Sequence, residues 1–195
     1  MPDYPLSGTN ILTQTENRDP QPITAALGGQ LMGVAQQLAR TIVVVSVAVE
    51  DHWHGMTADS FMVASVDPPL VLFSVIAGGR THRLLSGAQG FAVSVLAAEQ
   101  RATAAHFASR RRPPGRTQFA SVSWRTGMST GAPILSDALC WLDCRLRETV
   151  PAGDHVLVLG EVLHIGHRSR RIDPLIRLRG GYPRMCADSD RPAEG

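Results

Sequence analysis

Between Thr41 and Val49 the chain runs Thr-Ile-Val-Val-Val-Ser-Val-Ala-Val, a β-branched stretch closed by the polar turn Glu50 to His52, as a buried strand should be. Further strands read at Gly55 to Val66, Leu70 to Ile76, Phe91 to Leu96 and Ser121 to Arg125. The strongest hairpin signal joins Leu139 to Val150 with His155 to Ile165 across the turn Pro151-Ala152-Gly153-Asp154. Helical spacing is confined to two short segments. Gly33 to Arg40 sets Val34 with Leu38 and Leu31 with Ala35, and Glu99 to Arg110 offers an apolar face of Ala102, Ala105 and Phe107. Few helices among many strands, without regular alternation, argue against a doubly wound parallel sheet. They predict a mainly β fold, a barrel or a mixed β sheet. No Gly-x-Gly-x-x-Gly lies between a strand and a helix, since Gly78-Gly79 is followed by Arg80-Thr81-His82-Arg83, so a Rossmann dinucleotide fold has no place here.

At the ends the patterning fades. Residues 1–25, with Pro2, Pro5, Pro20 and Pro22 among polar residues, read as a flexible arm, and residues 187–195 as a flexible tail. A single folded unit over residues 26–186 lies between them. A chain of 195 residues with 44% apolar content suits one domain. No stretch nears the roughly 20 apolar residues that span a bilayer, and the start lacks a basic flank with an apolar run. The expectation is a cytoplasmic protein without a membrane partner. All 19 basic side chains are arginine, which excludes a phosphate-loop lysine, a pyridoxal Schiff base and a lysine nucleophile. Cys140, Cys144 and Cys186 are too few for a disulfide framework or a four-ligand zinc site, and read as small apolar groups.

Several signals point to other chemistry and are weaker. His52-x-His54 places two imidazoles on one strand face, but no third ligand is near, so the pair reads as a solvated turn with no metal. Ser60 and Ser65 lack the Gly-x-Ser-x-Gly elbow of a hydrolase. The run Arg110-Arg111-Arg112-Pro113-Pro114-Gly115-Arg116 has the charge of a nucleic-acid patch without interleaved aromatics, and reads as an exposed loop. Arg168, Arg170 and Arg171 form a second, smaller cluster.

The segment from Gly55 to Phe73 is different. Strand-length apolar positions alternate with small hydroxyl and carboxylate side chains, and the run ends in the rigid bend Asp67-Pro68-Pro69. Small residues let a flat ligand approach the backbone closely, and free N–H groups at strand ends can meet its heteroatoms. The same pattern also suits a sheet edge whose Ser and Thr residues face water. Gly55-Met56-Thr57-Ala58-x-Ser60-Phe61, followed by Ser65-Val66-Asp67-Pro68-Pro69-Leu70-Val71, resembles the flavin reductase family, the reductase components of two-component flavin monooxygenases and halogenases. The likeness continues in order through Phe91 to Leu96 with Glu99-Gln100 and Phe107-Ala108, Ala138 to Cys144, Gly153 to Leu157 with Gly160-Glu161-Val162, and Pro174-Leu175 with Arg179 to Tyr182.

This resemblance implies an FMN-binding split barrel of Greek-key-like form, a homodimer, which binds FAD or FMN and oxidises NADH or NADPH. It implies a separate flavin-dependent oxygenase or halogenase that receives the reduced flavin, and no nucleic-acid partner. By matching position, Thr57, Ala58, Asp59 and Ser60 fall at the ribityl and phosphate region of the flavin. Ser65, Val66 and Asp67 fall beside the isoalloxazine ring, with Ser74 on the neighbouring strand, and Thr81 meets the flavin phosphate. His155 and Tyr182 match the pair near the nicotinamide, and no acid–base residue is required. The family commonly has a Ser two places before that threonine; this chain has Gly79, and Arg80 or Arg83 is the candidate replacement as a charge-assisted donor. The alternative on the same barrel is a non-catalytic flavin- or haem-binding sensor or carrier.

Overall fold

The structure, a computed structural model, describes residues 25–168 and 172–185. It divides into two compact units, the first ending at Gln37 and the second starting at Leu38. The described part of the first unit is helix α1, Ala25–Ala35, and the turn residues Gln36 and Gln37 that follow it. The helix expected over Gly33 to Arg40 thus starts earlier and stops sooner. Arg40–Thr41 is recruited as strand β1, paired with the late strand β11, Ile176–Arg177. Long-range pairing overrides the local helical spacing there.

The second unit is built on seven antiparallel strands: β2 (Val43–Val49), β3 (His52–Ala58), β4 (Met62–Ser65), β5 (Leu70–Ile76), β6 (Gly90–Val95), β9 (Cys140–Ala152) and β10 (His155–His167). Their order across the sheet is β3-β2-β6-β9-β10-β5-β4. The expected strand Gly55 to Val66 is therefore two strands, and they form opposite edges of the sheet. Only Asp59, Ser60 and Phe61 separate them, a link that reaches at most about 14 Å from Ala58 to Met62. So short a connection between the two edges curls the sheet into a barrel that is split between β3 and β4.

Alternation along the strands fills the barrel. Val43, Val45 and Val47 of β2, Ala58 of β3, Val71, Phe73 and Val75 of β5, Phe91, Val93 and Val95 of β6, Leu142 and Cys144 of β9, and Val156 and Val158 of β10 share one buried core. Phe73 and Phe91 meet edge to face inside it, 5.0 Å between centroids. Strand β2 is apolar on both faces because its outer face is covered as well. Ile42 and Val44 pack with Leu96, Leu135 and Leu175, with Ala104 and Phe107 of helix α3 (Arg101–Ala108), and with Phe119 of the 3-10 turn Gly115–Phe119. Strands β7 (Trp124–Thr126) and β8 (Pro133–Leu135) form a small hairpin on that side. The outer edge of β3 is closed by a side chain: Gln118 accepts from Gly55 N–H (2.8 Å) and donates to Trp53 C=O (2.9 Å), so its amide replaces a missing strand.

The expected hairpin forms with a tighter turn. Pro151 and Ala152 remain in β9, opposite Val156 and His155, and the chain reverses at Gly153-Asp154, where Gly153 takes φ +65°. Helix α2, Arg80–Leu85, is not among the elements that the apolar pattern predicts. Leu85 supplies its anchor, fully buried against the barrel core.

Candidate functional site

The split between β3 and β4 is where the candidate residues gather. Thr57 and Ala58 end β3, Asp59 and Ser60 make the link, Ser65 ends β4, and Val66 and Asp67 lie in the turn before β5. Side-chain bonds replace the missing ladder across the gap. Ser74 N–H of β5 donates to Ser60 Oγ (3.0 Å), and Arg40 pairs with the Asp59 carboxylate at 3.1 Å. Thr57 Oγ1 donates to Ala104 C=O (2.7 Å), tying β3 to α3. Thr81, almost fully buried on α2, donates its hydroxyl to Met56 Sδ (2.9 Å) and ties α2 to β3.

Strand register then brings in β10. Ser74 pairs with Leu157 and Ile76 with His155, and the alternation of β5 puts Ser74 and Ile76 on the face opposite its buried Val71, Phe73 and Val75. Ser74 and His155 therefore stand on one face of adjoining strands, and Ser60 Oγ meets the main chain of Ser74. His155 Nδ1 lies 2.8 Å from Asp154 Oδ1, and that hydrogen bond holds the exposed Asp154 carboxyl below its usual range. Tyr182 is placed elsewhere. It packs against the outer cluster with its carbonyl on Arg101 Nη2 and its ring 5.9 Å from the Arg101 guanidinium carbon. Among the described contacts none joins Tyr182 to His155 within one chain.

Toward the other end of β5, an apolar cleft of about 310 Å³ is lined by Val63, Ser65, Val66, Pro69, Leu70, Val71, Leu142 and Val162, with His164 on its wall. Exposed Met62, Val63, Val66, Leu163 and Ile165 extend this apolar character over the outside of β4 and β10.

The structure also corrects two readings. His54 is not part of a solvated turn. It sits within β3 and is only 2% exposed, while His52 remains outside. Arg112, taken as one residue of an exposed loop, is half-buried and places Nη2 3.0 Å from His54 Nε2. A guanidinium only donates, so His54 Nε2 is the acceptor and the ring proton is on Nδ1. Burial, then Arg112, then Arg80 lower the His54 pKa to about 4. His54 Nδ1 and Arg112 Nε are both buried without a hydrogen-bond partner. Sequence periodicity already hinted at this, because His54 shares the inward parity of Met56 and Ala58; the two-residue His spacing obscured it.

Cys144 is fully buried in the core, its thiol pushed up to about 12 by burial and by Asp143, and Cys140 is half-buried. Cys186, Arg170 and Arg171 lie outside the described residues. Among the described residues no three His, Cys, Asp or Glu side chains converge as a metal site would need.

Comparison with known proteins gives a consistent picture. The chain is 37% identical over 161 residues to an NADH-dependent FAD reductase of Streptomyces globisporus, covering 83% of this chain and 87% of the relative. It is 36% identical to an NADH:riboflavin 5'-phosphate oxidoreductase of Streptomyces pristinaespiralis, covering 83% and 90%. Two longer relatives from Rhizobium meliloti are spanned over only 50% and 59% of their length. Among solved structures, BorF, the flavin reductase component of a bacterial two-component tryptophan halogenase, aligns with a TM-score of 0.75 at 38% identity, over 80% of this chain and 96% of that one. The Streptomyces globisporus NADH:FAD oxidoreductase SgcE6 aligns with a TM-score of 0.78 at 34% identity, over 86% and 98%. A family model for the flavin reductase like domain matches residues 35–185, and the chain belongs to the flavin reductase family.

Proposed function

We infer that this chain is an NAD(P)H-dependent flavin reductase that supplies reduced flavin to a separate monooxygenase or halogenase. The observation that carries the reading is the shared face of Ser74 and His155, with Ser60 of the split bonded to the Ser74 main chain, which joins the small-residue split to the strand bearing the Asp154-His155 pair. The residues present fit a flavin. The cleft beside Ser65 and Val66 is mostly apolar and at about 310 Å³ has the size of a small-molecule site. Arg80 and Arg83 flank Thr81 on α2 and give cationic donors for a phosphate where Gly79 stands in place of the family's serine.

The bound cofactors supply the chemistry, a hydride passing from nicotinamide C4 to flavin N5, so the protein's share is binding and orientation. Asp154 accepts the proton-bearing Nδ1 of His155, which fixes the tautomer and leaves Nε2 as an acceptor for a carboxamide N–H. Ser65 and the exposed turn Val66 to Pro69 offer a hydroxyl and backbone polar groups at the edge of the ring cleft. No residue here has to take or give a proton during the transfer.

A second copy of the chain suits the apolar outside of β4 and β10, where Met62, Val63, Leu163 and Ile165 are exposed beside an unpaired strand edge; Val63, Leu163 and Ile165 also line the cleft of about 310 Å³, so the second copy would form that cleft's outer wall. The cytoplasm, where reduced nicotinamide is available, suits the reaction; among the described residues no helix is long and apolar enough to cross a membrane.

The test is consumption of NADH or NADPH, followed by loss of reduced-nicotinamide absorbance, on addition of FAD or FMN. A protein that binds flavin or haem and leaves both nicotinamides unoxidised is the sensor or carrier of the alternative reading. In the active enzyme His155→Ala raises the nicotinamide KM by about tenfold, the loss of one hydrogen bond to the substrate, with flavin Kd within about twofold. Equal weakening of both ligands overturns the assignment of His155 to the nicotinamide.

A further inference from the structure

The loop that joins β7 to β8 carries chemistry that the flavin and nicotinamide residues do not use. Its sequence, Gly127-Met128-Ser129-Thr130-Gly131, has the Gly-x-Ser-x-Gly spacing that Ser60 and Ser65 lack. The glycines act here as they do around a nucleophile, letting the chain turn sharply enough to stand the serine out. Gly131 N–H donates to Gly127 C=O (3.1 Å), and Gly131 takes φ +67°. A Cβ on Gly127 would lie 3.0 Å from Asp143 Oδ1 and 3.1 Å from the Ala132 carbonyl oxygen, so this end of the turn is held close to the sheet. Ser129 is exposed at the tip. The usual elbow of this spacing runs from strand to helix, and this one runs from strand to strand.

A base stands within reach, since Ser129 Oγ is 3.0 Å from His164 Nε2. Strand register brings the histidine there. His164 pairs with Asp143 of β9 just past a bulge, and both side chains meet the 127–131 loop. Ile165 pairs with Leu142 on the opposite side of the sheet, so the His164 ring faces away from the apolar surface that Ile165 extends. The buried Asp143 carboxylate fixes the loop by accepting from Ser129 N–H (2.7 Å) and from the Thr130 hydroxyl. Thr130 N–H, the donor next after the serine, has no hydrogen-bond partner among the described residues, which leaves it for a developing oxyanion. Nucleophile, base and free donor thus meet on one exposed turn.

We propose that Ser129 and His164 form a dyad that hydrolyses short acyl esters, an activity separate from flavin reduction. Ser129 Oγ attacks the acyl carbon and its proton passes to His164 Nε2; the ester C–O bond then breaks and the departing alcohol takes that proton. Water attacks the acyl-serine by the same route, gives up its proton through His164, and releases the carboxylic acid with Ser129 restored. Nothing is oxidised or reduced. For Nε2 to accept, the His164 ring proton is on Nδ1. Exposed Met128, beside the nucleophile, gives apolar surface the width of one side chain, which suits an acetyl group better than a long acyl chain.

The experiment treats the full chain with p-nitrophenyl acetate and, separately, with a fluorophosphonate probe followed by peptide mapping. The chain has no lysine, which removes a common source of uncatalysed acetylation. The wild type releases p-nitrophenol with turnover and carries the probe on Ser129. Ser129→Ala keeps the backbone N–H that Asp143 holds; it loses hydrolysis and labelling, and oxidises NADH with flavin within about twofold of the wild type. His164→Gln slows labelling of Ser129 by about 100-fold, the share of a general base. Probe on another residue, no labelling of the folded wild type, or hydrolysis undiminished in Ser129→Ala overturns the inference. Labelling of His164→Gln at the wild-type rate overturns it as well. Should His164→Gln fail to fold, the site of the label in the wild type and the loss of hydrolysis in Ser129→Ala decide the matter.

Discussion

Lowering the pH from 7 to 4.5 should cost this protein about 2 kcal/mol of stability through His54 alone. The folded ring titrates at about 4 and an unfolded histidine near 6.5. Because the folded value is the lower one, the unfolded chain binds the extra proton throughout this window. Stability is therefore full above about pH 6.5 and falls as the pH drops toward 4. The whole gap is worth about 3 kcal/mol, of which about 2 is expressed between pH 7 and 4.5. The physical source is the 2%-exposed ring with Arg112 at 3.0 Å and Arg80 nearby, neither of which tolerates an imidazolium. Urea unfolding at the two pH values reads this as a midpoint drop of roughly 1 M for an m-value of about 2 kcal/mol/M. His54→Gln keeps an acceptor for Arg112 and removes the titration, so its drop is smaller by that amount. Exposed Asp154 and Glu161, whose carboxyls are held down by His155 and Arg145, titrate alike in both proteins and cancel. Equal pH dependence of the wild type and His54→Gln would refute the argument.

Two further substitutions test the barrel that carries the site. In Gly160→Ala the new Cβ would lie 2.3 Å from Phe91 Cζ, and Phe91 is fully buried against Phe73, so overpacking costs about 1–3 kcal/mol. Calorimetry should show Tm lowered by about 2–12 °C, partly restored by adding Phe91→Leu; an unchanged Tm contradicts the packing described. In Asp143→Asn the buried carboxylate that accepts from Ser129 N–H (2.7 Å) and the Thr130 hydroxyl loses its charge, and urea unfolding should report about 1.5–3 kcal/mol lost. A loss below about 0.5 kcal/mol would mean that this carboxylate does not hold the 127–131 loop.

Strands were the legible part of the sequence because burial on one face writes a two-residue period. Leu70 to Ile76 was read to the residue, and β2, β6, β9 and β10 to within a few positions. What stayed hidden depended on partners distant in the chain. Arg40-Thr41 continues a helical spacing but pairs with Ile176-Arg177, and the run from Gly55 to Val66 looks continuous although Asp59 to Phe61 carries the chain from one sheet edge to the other. Helix α2 has six residues and only Leu85 and Thr81 buried, too little periodicity to register. The same holds at the site. Small-residue motifs pointed to the split, while the burial of His54 and Arg112 depends on a loop more than fifty residues downstream folding back onto β3.

The contacts of the motif residues narrow what each can give a flavin. Four of the nine positions assigned to the flavin by resemblance already have structural work: Thr57 donates to Ala104 C=O, Thr81 to Met56 Sδ, Ser60 accepts from Ser74 N–H, and Asp59 pairs with Arg40. A hydroxyl that has given its proton inside the fold keeps only lone pairs, so Thr57 and Thr81 have no proton left to donate to a ligand. A phosphate needs donors. In this chain, without lysine and with Gly79 in place of a serine, those donors have to come from backbone N–H groups and from arginine, and α2 carries two arginines, Arg80 and Arg83.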